Sequence, residues 1–131
     1  MVNDWNVSYR RSLHELLTLL SGQWTVAVIA TLAVGERSYT ELLDEVNKAE
    51  EQQGWTSHAK PLSSKVLSSH LRRLEANALI ERRAEGIKFN KVWYRLSADG
   101  QELLSMLRPL ASWSAQRHVI AALEDETTPP S

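Results

Sequence analysis

A chain of 131 residues with 43% hydrophobic and 24% charged side chains has about the length of one domain and enough apolar content to bury a core without covalent staples. It contains no cysteine, which excludes a disulfide scaffold, thiolate metal sites, catalytic thiols and thiol-based redox sensing. The net charge of −1 hides an asymmetry: nine basic residues against three acidic ones between His58 and Arg95 leave that stretch at +6 and the rest of the chain at −7. Such a stretch is either a polyanion-binding face on an acidic body or a solvated surface that happens to be basic. The opening MVNDWNVSYRRSLHELL lacks the charged-then-apolar order of a secretory leader, and the longest apolar run, Val26 to Ala30, is far short of a bilayer span. A cytoplasmic protein without membrane contact is expected.

In chain order, Leu13, Leu16, Leu17 and Leu20 recur at helical spacing, which predicts an amphipathic helix over 8–20 with Ser8 as its N-cap. Trp24 to Val34 is apolar nearly all round, the pattern of a central buried helix, and Gly35 ends it. A very short strand at 36–39 precedes a helix headed by Thr40, or by Ser38 two residues earlier if Ser38 and Glu41 form a capping box; Leu42, Leu43 and Val46 face inward. After the loop-like GWTSHAKP, Ser63 caps a helix over 64–77 whose inner stripe is Val66, Leu67, Leu71, Leu74 and Ala78. Two short β-type runs, 79–83 and 91–96, flank turn residues at Glu85-Gly86 and Asn90 and make a hairpin with a basic tip. Ser97 then caps a last helix over 98–123 that Pro109 either kinks or splits. The fold expected is mostly α with a small β-hairpin wing (α+β), a winged helix-turn-helix with N- and C-terminal dimerisation helices. It spans 1–131 as one domain, ordered over about 8–123, with 124–131 a disordered tail.

The chemistry concentrates on the helix over 64–77. With its apolar stripe turned inward, the opposite face displays Ser64, Lys65, Ser68, Ser69, Arg72 and Arg73, with no acid before Glu75. Short hydroxyls let a helix approach a groove closely, and cations neutralise phosphates or, for arginine, read guanine by two bonds. Ser63 reads as a cap more readily than as a base reader, and His70, at the edge of the stripe, as a packed residue. On the hairpin, Arg82, Arg83, Lys88 and Lys91 are placed to reach the sugar–phosphate backbone or the minor groove. The expected partner is double-stranded DNA.

The segments Gly22-Gln23-Trp24-Thr25, Tyr39-Thr40-Glu41-Leu42, Leu62 through Glu75, Leu79-Ile80-Glu81-Arg82 and Tyr94-Arg95-Leu96-Ser97 with Gly100 resemble the HxlR family of bacterial regulators, MarR relatives within the winged-helix superfamily, over roughly residues 12–115. The resemblance implies a homodimer joined through the first and last helices, with paired recognition helices on a pseudo-palindromic operator. Where some family members carry a sensing cysteine near the N-terminus, this chain has none. Gln23 stands where the family's usual lysine does. Ala78 stands where a glycine commonly ends the recognition helix, which leaves Asn77 to take the left-handed conformation. The stretch 47–60 is about ten residues longer than the usual connection; it either extends the preceding helix or adds a loop containing Trp55 and His58.

An apolar stripe of Leu103, Leu107, Leu110 and Trp113, with Leu104, is wider than one small domain needs, so it joins Leu13, Leu16 and Leu17 as a candidate dimer interface. Trp24 and Trp113, with Trp5, either line a cleft for a small-molecule effector or fill a helical dimer core. No cofactor and no metal is expected, because the four histidines lie far apart without ligand spacing, and no phosphate loop or nucleophile elbow occurs. An enzyme is therefore not expected. A winged helix used only as a protein–protein module is the other reading, for which the acidic stretch 41–51 is the relevant surface.

Overall fold

The computed structural model describes residues 6–22, 24–54, 58–86 and 91–127. In chain order they form α1 (Val7–Leu20), α2 (Thr25–Leu32), β1 (Arg37–Ser38), α3 (Tyr39–Gln53), α4 (Ser64–Ala76), β2 (Ile80–Glu85), β3 (Lys91–Leu96) and α5 (Ala98–Thr127). The strands make an antiparallel sheet in the order β1-β3-β2. This is the winged helix-turn-helix arrangement that the sequence predicts, with the hairpin β2–β3 as the wing.

Burial follows the apolar periodicity. Val28, Ile29 and Leu32 of α2 meet Leu42 and Val46 of α3, Leu67, Leu71 and Leu74 of α4, and Ile80, Tyr94 and Leu96 of the sheet. Because α2 is apolar on every side, it can sit among several partners at once. Its helical span is shorter than the apolar run, ending at Leu32 with Ala33 as C-cap. The cap of α1 is Asn6 and not Ser8: the Asn6 side chain accepts from the Tyr9 N–H, so the helix begins one residue before Ser8. For α3 the capping box is present, with Ser38 accepting from the Glu41 N–H and Glu41 accepting from the Ser38 N–H, and the helix starts at Tyr39. Of the two uses open to residues 47–60, helix extension accounts for the part through Gln53, where Gly54 closes α3 at φ 66°. Gln23, Trp55 and the turn residue Asn90 lie outside the described residues.

The end of α4 departs from expectation. Ala78 takes the left-handed conformation (φ 60°), while Asn77 stays at φ −91°. The Leu79 N–H donates to the Leu74 carbonyl and the Ala78 N–H to the Glu75 carbonyl, the paired bonds of a Schellman cap with Ala78 in the position where glycine is favoured. Packing decides the register. Leu74 and Leu79 are both buried, and moving the left-handed residue back to Asn77 would turn Leu79 and Ile80 off the core. Asn77 instead donates its side-chain amide to the Arg73 carbonyl.

The last helix starts where expected, with the Gly100 N–H donating to Ser97 Oγ, while Ser97 Oγ donates to the Ala78 carbonyl. Pro109 does not split α5; it lies in an exposed stretch, where the carbonyl it leaves unpaired is tolerated better than in a core. The helix also runs to Thr127, so 124–127 belong to α5 and not to a disordered tail; the first strong stop in the sequence is Thr128-Pro129. Residues 128–131 lie outside the described residues.

Two substitutions at the junction of α4, the wing and α5 should move stability in opposite directions. A Cβ on Gly100 would lie 2.1 Å from the Leu79 carbonyl oxygen, so Gly100→Ala should cost about 2–3 kcal/mol, the scale of a severe overpacking. Ala78→Gly should gain about 0.5–1 kcal/mol, the left-handed strain relieved less the extra freedom of glycine in the unfolded chain. Urea unfolding of both variants, with unchanged slope, checks this.

Candidate nucleic-acid interface

The outer face of α4 is built by fixing its inner one. Leu67, Leu71 and Leu74 are buried, which leaves Ser64, Lys65, Ser69 and Arg72 exposed. Among the described residues, neither Lys65 nor Arg72 forms an ion pair. Directed bonds then hold the helix in place. Ser63 accepts from the Val66 N–H and is a cap. Just before it, the Asn47 side-chain amide donates to the Leu62 carbonyl (3.1 Å) while its oxygen accepts from the Leu62 N–H (2.8 Å). Tyr39 Oη donates to the Ser64 carbonyl (2.7 Å) and lies 2.9 Å from Ser68 Oγ. His70 Nε2 accepts from the Trp24 N–H at the start of α2 (3.1 Å), which puts the ring proton on Nδ1, where it bonds the Val66 carbonyl (2.9 Å).

Two predicted contact residues have other partners. Arg73 reaches back to α1, donating to the Thr18 carbonyl at 3.1 Å, a cation on the open carbonyls of a helix end. Its guanidinium therefore ties α4 to α1. Ser68 is half-buried and faces Tyr39.

The wing sorts its charges by face. Cross-strand pairing puts Ile80, Arg82 and Ala84 on one side with Val92, Tyr94 and Leu96, and Glu81, Arg83 and Glu85 on the other with Lys91, Trp93 and Arg95. The second face neutralises itself. Glu81 pairs with Arg95 (2.7 Å), and Arg83 pairs with Glu36 (2.8 Å) and lies over the Trp93 ring. Trp93 Nε1 donates to Glu85, and Lys91 Nζ sits 4.7 Å from the Trp93 ring centroid. The hydrogen bond from Arg83 holds the Glu36 carboxyl below its ordinary range and, reciprocally, raises Arg83. Of the wing cations expected to face DNA, Arg83 and Lys91 are thus engaged within the fold. Arg82 is exposed and without a partner among the described residues, and Lys88 lies outside them.

The candidate dimer residues divide in two. Leu103 is buried in the protomer's own core, and Leu16 and Leu107 pack against it; their spacing is the same whether they face a core or a partner. Leu13, Leu17, Leu110 and Trp113 are exposed, the last three at 58%, 61% and 59%. Along α5 every residue from Arg108 to His118 is exposed. Within one protomer Trp24 and Trp113 do not come together. Trp24 is buried and stacked on His58, with ring centroids 4.0 Å apart, whereas Trp113 stands on the open half of α5 under Arg117. A cavity of ≈ 580 Å³ between the end of α2, β3 and α5 is lined by Leu32, Leu104, Arg95 and Arg108 among others, and by neither tryptophan. Trp5 lies outside the described residues.

Asn47, Tyr39 and the partners of Arg73 and Arg83 escaped the sequence because each bond joins residues distant in the chain. Asn47 alone left a trace, a lone amide directly after the buried Val46.

Comparison with known proteins places this geometry. A family model described as HxlR-like helix-turn-helix matches residues 19–120. The uncharacterized HTH-type transcriptional regulator YtcD of Bacillus subtilis (strain 168) is 28% identical over 108 residues, 82% of this chain and 75% of its own. Among solved structures, a chain from Enterococcus faecalis V583 assigned to the MarR family of regulators matches with a TM-score of 0.71 at 21% identity, over 92% of this chain and 98% of that one. The reduced form of the transcriptional regulator YodB from B. subtilis matches with a TM-score of 0.61 at 23% identity, over 80% and 90% of the two chains. At these identities the structural likeness establishes a common fold.

The two neighbouring arginines should behave differently. Arg73→Ala should lower stability by about 0.5–1.5 kcal/mol, the worth of a hydrogen bond, whereas Arg72→Ala should leave the urea midpoint within about 0.5 kcal/mol of the wild type, as exposed substitutions do.

Proposed function

The chain belongs to the HxlR-like helix-turn-helix family of transcriptional regulators, and from that premise we propose that it acts in the cytoplasm as a homodimer on a pseudo-palindromic duplex operator. In this reading α4 enters the major groove and the wing rests beside it on the backbone or in the minor groove. The observation that supports it best is the outer face of α4: an exposed row of Ser64, Lys65, Ser69 and Arg72, free of acidic partners, on a helix whose other side is bonded to α1, α2 and α3. Hydroxyls and cations on a rigid helix are what a groove lined with phosphates and base edges requires. Of the wing, Arg82 lies on the face of the hairpin that packs against the helices and is the cation best placed to support α4. Ser68 joins the reading face at its edge, and Arg73, Arg83 and Lys91 serve chiefly to hold the parts together.

Support for the dimer comes from unpartnered apolar surface. No residue of α1 is buried, yet Leu13 and Leu17 are exposed there, and on α5 Met106, Leu110 and Trp113 are exposed too. A half-helix with nothing packed on it is marginal in water, since helices are stabilised chiefly by burying an apolar face. A second copy of the chain is the occupant that the family fold favours. Among the described residues, no single helix is long and apolar enough to cross a membrane.

Selection of bound duplexes from a random pool tests the proposal, and recovery of a two-fold symmetric site is the expected result. On that site Arg72→Ala should weaken binding by about 1–3 kcal/mol and relax one position if it reads a base, or reduce the salt slope by about one if it meets a phosphate. A folded Arg72→Ala protein that binds with unchanged affinity, specificity and salt dependence would remove the mechanism. Glu36→Gln releases Arg83 from its ion pair, so it should tighten binding to duplexes of every sequence and steepen the salt slope if the wing reaches the backbone. Sedimentation at micromolar concentration should give a species of twice 14.8 kDa, and Leu110→Glu with Trp113→Glu should halve it.

A further inference from the structure

The protons shared by Tyr39 and Ser68 fix what Ser68 offers to a ligand. Tyr39 Oη lies 2.7 Å from the Ser64 carbonyl oxygen and 2.9 Å from Ser68 Oγ. A phenol carries one proton and a carbonyl oxygen none, so the contact with Ser64 is a hydrogen bond only if Tyr39 donates it. The contact with Ser68 must then be donated by the serine. The single proton of Ser68 is directed inward to Tyr39, and toward the exposed row it turns lone pairs alone. A free serine hydroxyl has no such polarity, because it rotates to suit its partner.

Ser68 lies one turn from both Ser64 and Arg72 and three residues from Lys65, at the edge of the face assigned to the groove. Lys65 and Arg72 can only donate, so they suit phosphate oxygens or the acceptor edge of guanine. An acceptor placed between them suits neither. In the major groove the hydrogen-bond donors are the exocyclic amino groups, N6 of adenine and N4 of cytosine, whereas guanine and thymine present O6, N7 and O4 acceptors. Phosphate oxygens accept as well and offer Ser68 nothing.

We propose that Ser68 is a specificity-determining residue that accepts from a base amino group, selecting adenine or cytosine on the strand it faces, and that Tyr39 is the positioning residue that sets this polarity by taking the serine proton. The inference rests on the reading of α4 as the groove-bound helix, and it adds the class of base edge recognised at one position.

Duplex selection with the full-length wild type, Ser68→Ala and Tyr39→Phe, followed by affinities on the selected site carrying each of the four bases at each position, tests it. The wild type should show one position per half-site where adenine or cytosine is preferred by about 3- to 10-fold, the scale of one hydrogen bond. Ser68→Ala should flatten that position and no other. Tyr39→Phe keeps the ring and frees the serine proton, so the same position should relax to within about twofold while the rest of the site is retained. Thermal melts of both variants establish that they are folded, and Ser68→Thr, which keeps the hydroxyl, should restore the preference if the alanine variant melts early. A wild type that selects no defined sequence sinks the regulator reading and this one with it. A wild type with a defined site sinks this inference alone if Ser68→Ala alters no position, if removing the exocyclic amino group from the altered base pair (purine for adenine, pyrimidin-2-one for cytosine) costs the wild type no affinity, or if Tyr39→Phe keeps the full preference.

Discussion

Two hydrogen bonds between the Asn47 side chain and the backbone of Leu62 fasten the chain just before α4 to α3. An amide offers one donor and one acceptor with the spacing of a peptide group, so Asn47 pairs with Leu62 as a neighbouring strand would. That pairing closes the helix-turn-helix across the intervening segment. In sequence the clamp bypasses residues 48–61, and lengthening a bypassed loop costs little chain entropy. The placement of α4 is thus insulated from the length of the connection before it. Ser63 follows as the cap, Ser64 as the first bond to Tyr39, and Leu67 as the first fully buried side chain.

The same principle, one helix fixed by bonds from several directions, explains which cations remain free. Arg73 fastens α4 to the carbonyl end of α1, His70 fastens it to the start of α2, and the carbonyl of Leu79 both takes the Ser97 N–H and lies beneath the first turn of α5. Two of the bonded side chains, Arg73 and Ser68, stand next to exposed ones of similar chemistry, Arg72 and Ser69. What separates them is about 100° of helix rotation, enough to place one side chain against the protein and its neighbour against solvent.

Much of this fold was legible in the sequence, because periodicity and caps are local. The stripe Leu67, Leu71, Leu74 marks α4, Ser38 with Glu41 marks the start of α3, and two short β-type runs flanking Glu85-Gly86 mark the wing. The candidate site was legible only as a set of residue types. Arg83 bonds Glu36, 47 residues away, and Arg73 bonds Thr18, 55 away; nothing in the local pattern of either arginine announces such a partner. Leu103 was set on the dimer face for a related reason, since an apolar side chain carries the same spacing whether it faces its own core or a second molecule. At Ala78 a local rule that favours asparagine in the left-handed region yields to the register needed to bury Leu79.

The sorting of charge on the wing has a kinetic meaning. Pairs held within a few ångströms, as Glu81 with Arg95 and Glu36 with Arg83 are, cancel one another beyond roughly a Debye length of 8 Å. The molecule as a whole bears −1, the same sign as a nucleic acid. The net charge therefore gives a distant polyanion no pull, but the stretch 58–95 keeps its +6 less the one charge that Glu36 neutralises on Arg83, so within a Debye length the attraction is confined to this stretch. A duplex would then be oriented by that local asymmetry over the last few ångströms of approach, with the wing's ion pairs adding nothing to the pull.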